Sequence, residues 1–200
     1  MMHITILTFD GFNELDSFVP NTILGLAKGA EWKVSIASPN THVTSMNGVK
    51  IEAQATIEDV NKSDAVLIGS GMKTREIAEN ISLLSTLKLD PSRQLIAAQC
   101  SGTYLLVKMG LIRRGLPVCT DLTTKPFLER EGACVIDKPF IAHGNIATAG
   151  GCLSAQYLSA WLIARTLGMD AAKKAISYIA PVGEKEEYTM RMVAHVERYL

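Results

Sequence analysis

The chain has 200 residues, 48% of them hydrophobic and 20% charged, which suits one domain of ordinary size with enough length to bury a core. Twenty Lys and Arg balance twenty Asp and Glu, so the formal net charge is zero. That balance argues against a nucleic-acid binder or a polybasic membrane surface, both of which need surplus positive charge.

No apolar run approaches a bilayer span, and Met1–Thr8 carries neither a basic leader nor a small-residue cleavage site. A cytoplasmic protein without nucleic-acid or membrane partners is therefore expected.

The predicted elements alternate in type. His3–Thr8 is rich in β-branched residues and stops at Asp10-Gly11, as a first strand does. A helix is expected over Glu14 to Lys28, with Pro20 near its start or at a kink and Gly29 as its terminator. Trp32–Ala37 alternates as a second strand. Thr41–Met46 and Val49–Ala53 flank Asn47-Gly48, a strong hairpin turn signal. Ala65–Ile68 is a short apolar run of the kind buried on both faces of a parallel sheet.

After Gly69-Ser-Gly71, Thr74–Leu87 predicts one or two helices. Gln94–Ala98 is another buried strand, followed at once by a helix from Ser101 to about Met109. Thr124 is suited to cap a helix running to about Glu131, with Pro126 tolerated in its first turn. Phe140–Thr148 predicts a tight hairpin and Leu153–Leu167 a buried helix ended by Gly168. Asp170 is expected to cap a helix over Ala171–Tyr178, and a charged last helix covers about Glu184–Tyr199.

Strand–helix alternation with short apolar strands implies an α/β sandwich around a mostly parallel sheet, and one domain over 1–200. Such folds bind ligands at the carboxyl ends of their strands. The residues that follow each strand are therefore where chemistry is sought.

Four cysteines stand at 100, 119, 134 and 152, with no Cys-x-x-Cys and no His pair at ligand spacing, so no metal site is expected. By default each is a small buried hydrophobe. Cys100 differs because Ala98-Gln-Cys-Ser-Gly102 joins a buried strand directly to a helix. So sharp a reversal needs small residues two before and two after the apex, and Ala98 and Gly102 stand there. This is the pattern of a nucleophile elbow. A thiol at a helix N-terminus is expected to have a lowered pKa, because free N–H groups and the dipole favour the thiolate. The Ser101 N–H and the turn Gly69-Ser-Gly71, through Gly71, are the expected donors to an oxyanion.

His3, His42 and His195 read as surface residues. His143, in the turn of the late hairpin, is the least remote partner for the thiol. A carboxylate is better placed: Glu14 and Asp16 directly follow the first strand, on the same sheet edge as Cys100. Two residues apart on a helix, they face different ways. Asp16 lies between Leu15 and Phe18-Val19, surroundings that favour the protonated carboxyl. A helix N-terminal acid with only a dipole role fits the same residues.

Taken together, Leu15-Asp-Ser-Phe-Val-Pro20, Ile68-Gly-Ser-Gly71, Ala97-Ala-Gln-Cys-Ser-Gly102, Gly110-Leu-Ile112 and Ala147-Thr-Ala-Gly-Gly151 resemble the ThiJ/PfpI superfamily, related to class I glutamine amidotransferase domains. The resemblance implies a flavodoxin-like three-layer sandwich, a homodimer, a reactive Cys at Cys100 and an acidic partner at Asp16. Many members carry a His about twenty residues after the Cys. Here that stretch is Val118-Cys-Thr-Asp121, and Asp121 stands where the His is expected.

The spelling of these motifs is most similar to the isonitrile hydratase branch and to the sensing domains of amidase-like regulators. With the sequence ending at Leu200, an appended helix-turn-helix module is not expected. The resemblance thus implies a cofactor-free enzyme converting a small-molecule isonitrile and water to an N-substituted formamide. Cys100 is the expected nucleophile and Asp16 the proton donor, with Ser101 and Gly71 holding water or charge. The alternatives are a redox sensor whose Cys100 is oxidised to a sulfinate, an amidase, and a non-catalytic ligand-binding domain.

Overall fold

In a computed structural model, residues 1–27 and 32–200 are described. The expected helix end at Lys28 and terminator at Gly29 lie outside them. The first half contains β1 (Met2–Leu7), α1 (Glu14–Leu26), β2 (Trp32–Ala37), β3 (His42–Thr44), β4 (Lys50–Glu52), α2 (Ile57–Lys62), β5 (Ala65–Ile68), α3 (Thr74–Glu79), α4 (Ile81–Thr86) and β6 (Leu95–Gln99). The second contains α5 (Gly102–Lys108), β7 (Pro117–Val118), α6 (Lys125–Arg130), β8 (Cys134–Val135), β9 (Phe140–His143), β10 (Ile146–Ala149), α7 (Ala155–Leu167), α8 (Met169–Ile179) and α9 (Lys185–Val196). Tight 3-10 turns at Cys152–Ser154 and Glu197–Tyr199 flank the last three helices.

Six strands form one sheet in the order β2-β1-β5-β6-β10-β9. All are parallel except the edge strand β9, which pairs antiparallel with β10. The period-two alternation of strand side chains sends Ile4, Ile6, Ala65, Leu67 and Ala97 into one core. Val66, Ile68, Ile96 and Ala98 enter a second core on the other face. The first core is closed by Ile23 and Leu24 of α1, by Leu158, Trp161 and Leu162 of α7, and by α8 and α9. The second is closed by α2, α3, α5 and α6. This is the α/β sandwich with a mostly parallel sheet that the strand pattern implies, and its three layers are those of the flavodoxin-like fold that the resemblance implies.

The layering positions the site. The helix after β1 lies on one face, whereas those after β5 and β6 lie on the other. The winding therefore switches between the adjacent strands β1 and β5, opening a crevice at their carboxyl ends. Among the described residues, no helix is long and apolar enough to cross a membrane.

Two local expectations are corrected, and one helix adds to the expected set. The helix expected from Asp170 starts at Met169 after Gly168, so Asp170 sits in its first turn instead of capping it. Thr124 makes no side-chain cap to α6; the carboxylate of Asp121 accepts from the Thr123 and Thr124 N–H groups at 3.0 Å each. Helix α2 went unpredicted although Thr56 and Asp59 form a reciprocal capping box at its start.

Candidate active site

Cys100 follows β6 directly, with φ +48°, the only non-glycine residue at positive φ among those described. An L-residue reaches this region only when its surroundings enforce it, and such strain gathers at functional sites. Two neighbours do the enforcing. The Cys100 N–H donates to Ala149 O at 2.8 Å, continuing the β6–β10 ladder, and Thr120 Oγ1 donates to Cys100 O at 2.8 Å. Helix α5 then begins against the end of β5. A Cβ on Gly102 would stand 2.6 Å from Gly69 O and 2.8 Å from Ile68 O. The small residue required after the apex is thus required by backbone carbonyls, and the elbow is present.

Asp16 reaches the crevice from the first turn of α1. Asn13 caps that helix by accepting from the Leu15 N–H at 3.0 Å. The Asp16 side chain is fully buried; its Oδ2 accepts a short hydrogen bond from Ser70 Oγ, and its Oδ1 has no hydrogen-bond partner. The Cys100 thiol lies within 4.8 Å of the Asp16 carboxylate. Burial pushes the Cys100 thiol well above its ordinary pKa, and the negative charge of Asp16 pushes it further. The expectation of a thiolate favoured by the helix N-terminus is therefore corrected. Cys100 is 5% exposed beside a carboxylate, and desolvation plus like charge outweigh the partial charge of a seven-residue helix. The resting group is a neutral thiol beside a buried carboxyl group.

Glu14 takes the other role open to the acidic pair. It accepts from Ser45 Oγ, from the Asn47 N–H at 3.2 Å and from Asn47 Nδ2 at 2.9 Å, which fastens the β3–β4 hairpin. The Ser45 hydroxyl, foremost among these donors, holds its carboxyl below the usual range.

Cys152 is the residue that reading the sequence missed. It lies just beyond β10, and its Sγ falls within 4.8 Å of both Cys100 Sγ and Asp16. Asn13 Nδ2 donates to Cys152 Sγ at 3.3 Å, while Gln99 Nε2 lies 3.4 Å from Cys100 Sγ and donates to Gly151 O at 2.8 Å. The available signal was the strand-end rule applied to β10: Gly150-Gly151-Cys152 occupies the same sheet edge as Cys100. Asp16, Cys100 and Cys152 are also metal ligands by type, a set that linear spacing did not reveal. Both thiols are pushed up by burial and Asp16, so protons compete with any such binding.

The remaining predicted residues divide. Ser101 Oγ and Thr74 Oγ1 lie 2.8 Å apart beside the thiol. Gly71 is at the site, but its N–H is engaged by Thr74 Oγ1 at 3.1 Å and lies 3.5 Å from Ser101 Oγ. It is therefore not the free oxyanion donor that was expected. Asp121 lines the same cavity; one carboxylate oxygen caps α6 and the other is buried without a partner. His143 is corrected outright. It ends β9 opposite Ile146, the first residue of β10, at the amino end of the parallel strands, and its Nε2 lies 2.9 Å from Pro117 O.

The cavity over Cys100 has a volume of about 380 Å³ and is lined by Asn13, Asp16, Ser70, Thr74, Cys100, Ser101, Asp121 and Cys152, with Met46, Met72 and Arg75 also on its wall. None of the four histidines lines it. Cys119, whose backbone N–H bonds Thr148 Oγ1, is buried packing; Cys134 is exposed, unlike the buried default.

Comparison with known proteins comes to the same fold. A family model described as the DJ-1/PfpI family matches residues 2–164. No curated protein sequence matches. Among solved structures, Schizosaccharomyces pombe DJ-1 superposes with a TM-score of 0.77 at 16% identity, covering 90% of this chain and 100% of its own. Drosophila melanogaster DJ-1beta gives 0.77 at 20%, covering 89% and 97%. A ThiJ/PfpI family protein from Pseudomonas syringae gives 0.78 at 18%, covering 98% and 88%.

Proposed function

The chain belongs to the DJ-1/PfpI family, and we propose that it is a cysteine-dependent enzyme acting on a small, uncharged, electrophilic carbon, with isonitrile hydration the reaction its site fits best. The observation that carries this reading is the Cys100–Asp16 pair. Thiol and carboxylate lie within 4.8 Å, one carboxylate oxygen is buried with no other partner, and no histidine lines the cavity. Peptide or glutamine hydrolysis by a Cys–His route needs an imidazole to carry a proton to a leaving amine. Hydration of an isonitrile has no leaving amine and needs a proton shuttle that serves the carbon, the nitrogen beside it and the sulfur.

Asp16 supplies that shuttle. It takes the thiol proton as Cys100 Sγ bonds to the terminal carbon, then returns it to that carbon, leaving a thioimidate. Water adds to the same carbon, and Asp16 passes one of its protons to the nitrogen. The C–S bond then breaks as the new hydroxyl becomes a carbonyl, its proton passes through Asp16 to the departing sulfur, and the N-substituted formamide leaves. In this reading the Ser101, Thr74 and Ser70 hydroxyls, which line the same cavity, hold the water.

A neutral resting thiol suits this sequence, because the nucleophile forms only when a substrate draws the proton across to Asp16. The same reading takes the protein to be a homodimer in a reducing cytoplasm, its four cysteines free; sedimentation equilibrium measures the first part.

The test is formamide production from a panel of alkyl isonitriles. Cys100→Ala and Asp16→Asn are each expected to lower turnover by about 10²-fold or more. Full activity in Cys100→Ala, or no turnover of any isonitrile by the wild type, overturns the proposal.

A further inference from the structure

We infer that Cys152 is a resolving thiol for Cys100, and that hydroperoxides convert this pair reversibly to a Cys100–Cys152 disulfide that closes the site. The inference shares with the proposed function only the reactivity of Cys100; it does not depend on what the substrate is.

Three observations carry it. The two sulfurs lie within 4.8 Å of each other, on loops that leave adjacent strands of one ladder, where Ala149 pairs with Gln99. Each sulfur also meets a side-chain amide, Asn13 Nδ2 at Cys152 and Gln99 Nε2 at Cys100, a donor able to support negative charge as sulfur becomes nucleophile or leaving group. Lastly, Cys152 sits on a 3-10 turn entered through Gly151 at φ +84° and is partly exposed, whereas Cys100 is 5% exposed on a strained, fixed elbow. The attacking thiol is the more accessible of the two.

The chemistry balances with a hydroperoxide as oxidant. Asp16 takes the Cys100 proton, and the sulfur attacks one peroxide oxygen. An S–O bond forms, the O–O bond breaks, and the departing oxygen takes a proton to leave as alcohol or water. Sulfur has given two electrons and is a sulfenic acid. Cys152 Sγ then attacks Cys100 Sγ; the S–S bond forms, the S–O bond breaks, and hydroxide leaves as water with the Cys152 proton. An external dithiol restores both thiols by exchange.

The consequence differs from the sulfinate that a single exposed-to-oxidant cysteine would give. A sulfenic acid with a thiol in reach condenses before a second peroxide arrives, so oxidation stops at a reversible stage and the enzyme is switched off instead of destroyed.

The experiment treats the wild-type protein and Cys152→Ser with a modest excess of hydrogen peroxide, followed by alkylation and peptide mapping by mass spectrometry. The wild type is expected to lose two hydrogens, to show a Cys100–Cys152 linked peptide, and to recover both alkylatable thiols with dithiothreitol. Cys152→Ser is expected to carry two added oxygens at Cys100 that dithiothreitol does not remove. Sulfinate at Cys100 in the wild type with Cys152 still free to alkylate overturns the inference, as does a linkage through Cys134. Because the readout is mass, a failure of isonitrile turnover leaves this result standing, and the converse also holds.

Discussion

Gly102 rests on Gly69 so closely that a Cβ on the former would stand 2.6 Å from the carbonyl oxygen of the latter. That contact seats the elbow helix against the end of the neighbouring strand, directly after Cys100 at φ +48°. Gly102→Ala must push the helix off the strand. The expected loss is about 1–3 kcal/mol of stability, the usual range for overpacking, with a slower reaction of Cys100 toward iodoacetamide in the still-folded protein. Urea unfolding and timed alkylation measure the two; an unchanged alkylation rate would show that the elbow does not depend on this contact.

Buried thiols make stability fall in alkali. Burial pushes Cys119 up to about 12, against an unfolded thiol near about 8.5. Above the unfolded value the unfolded chain releases a proton that the folded chain keeps, so the unfolded state is favoured as pH rises. Below it both states are protonated and the contribution is constant. The wild type should therefore lose up to about 1.4 kcal/mol per pH unit on this group's account between those two values. Cys119→Ala should show a shallower decline than the wild type in urea unfolding at increasing pH, and parallel declines would contradict the assignment.

His143 bonds Pro117 at the end of the sheet remote from Cys100. His143→Ala should leave turnover unchanged while lowering stability by about 1 kcal/mol, the net worth of one hydrogen bond. A large loss of kcat with stability intact would bring His143 back as a functional group.

Much of the sheet could be read from the residues because its strands carry a local signal. Ala65–Ile68 and Leu95–Ala98 are apolar runs, and Ala98 and Gly102 mark a sharp strand-to-helix reversal with a nucleophile at its apex. Asp16 could be placed on the right sheet edge because it follows the first strand. Cys152 could not be singled out by type, since its role comes from β10 lying beside β6, a pairing between segments about fifty residues apart.

The direction of the Cys100 shift is hidden from the sequence for a related reason. The sequence shows the helix start that lowers it, whereas the burial and the Asp16 charge that raise it exist only once α1 folds over the elbow. Helix α2 escaped because six residues give too little periodicity, although Thr56-x-x-Asp59 was there to be read.

Cys100 rests as a neutral thiol whose proton is held by burial and by the charge of Asp16. Its most direct test is the pH dependence of Cys100 alkylation in the wild type and in Asp16→Asn. The wild-type midpoint should lie above the free-thiol value of about 8.5, and removing the Asp16 charge should move it down. A wild-type midpoint at or below the free-thiol value, or one that Asp16→Asn leaves in place, would contradict the account.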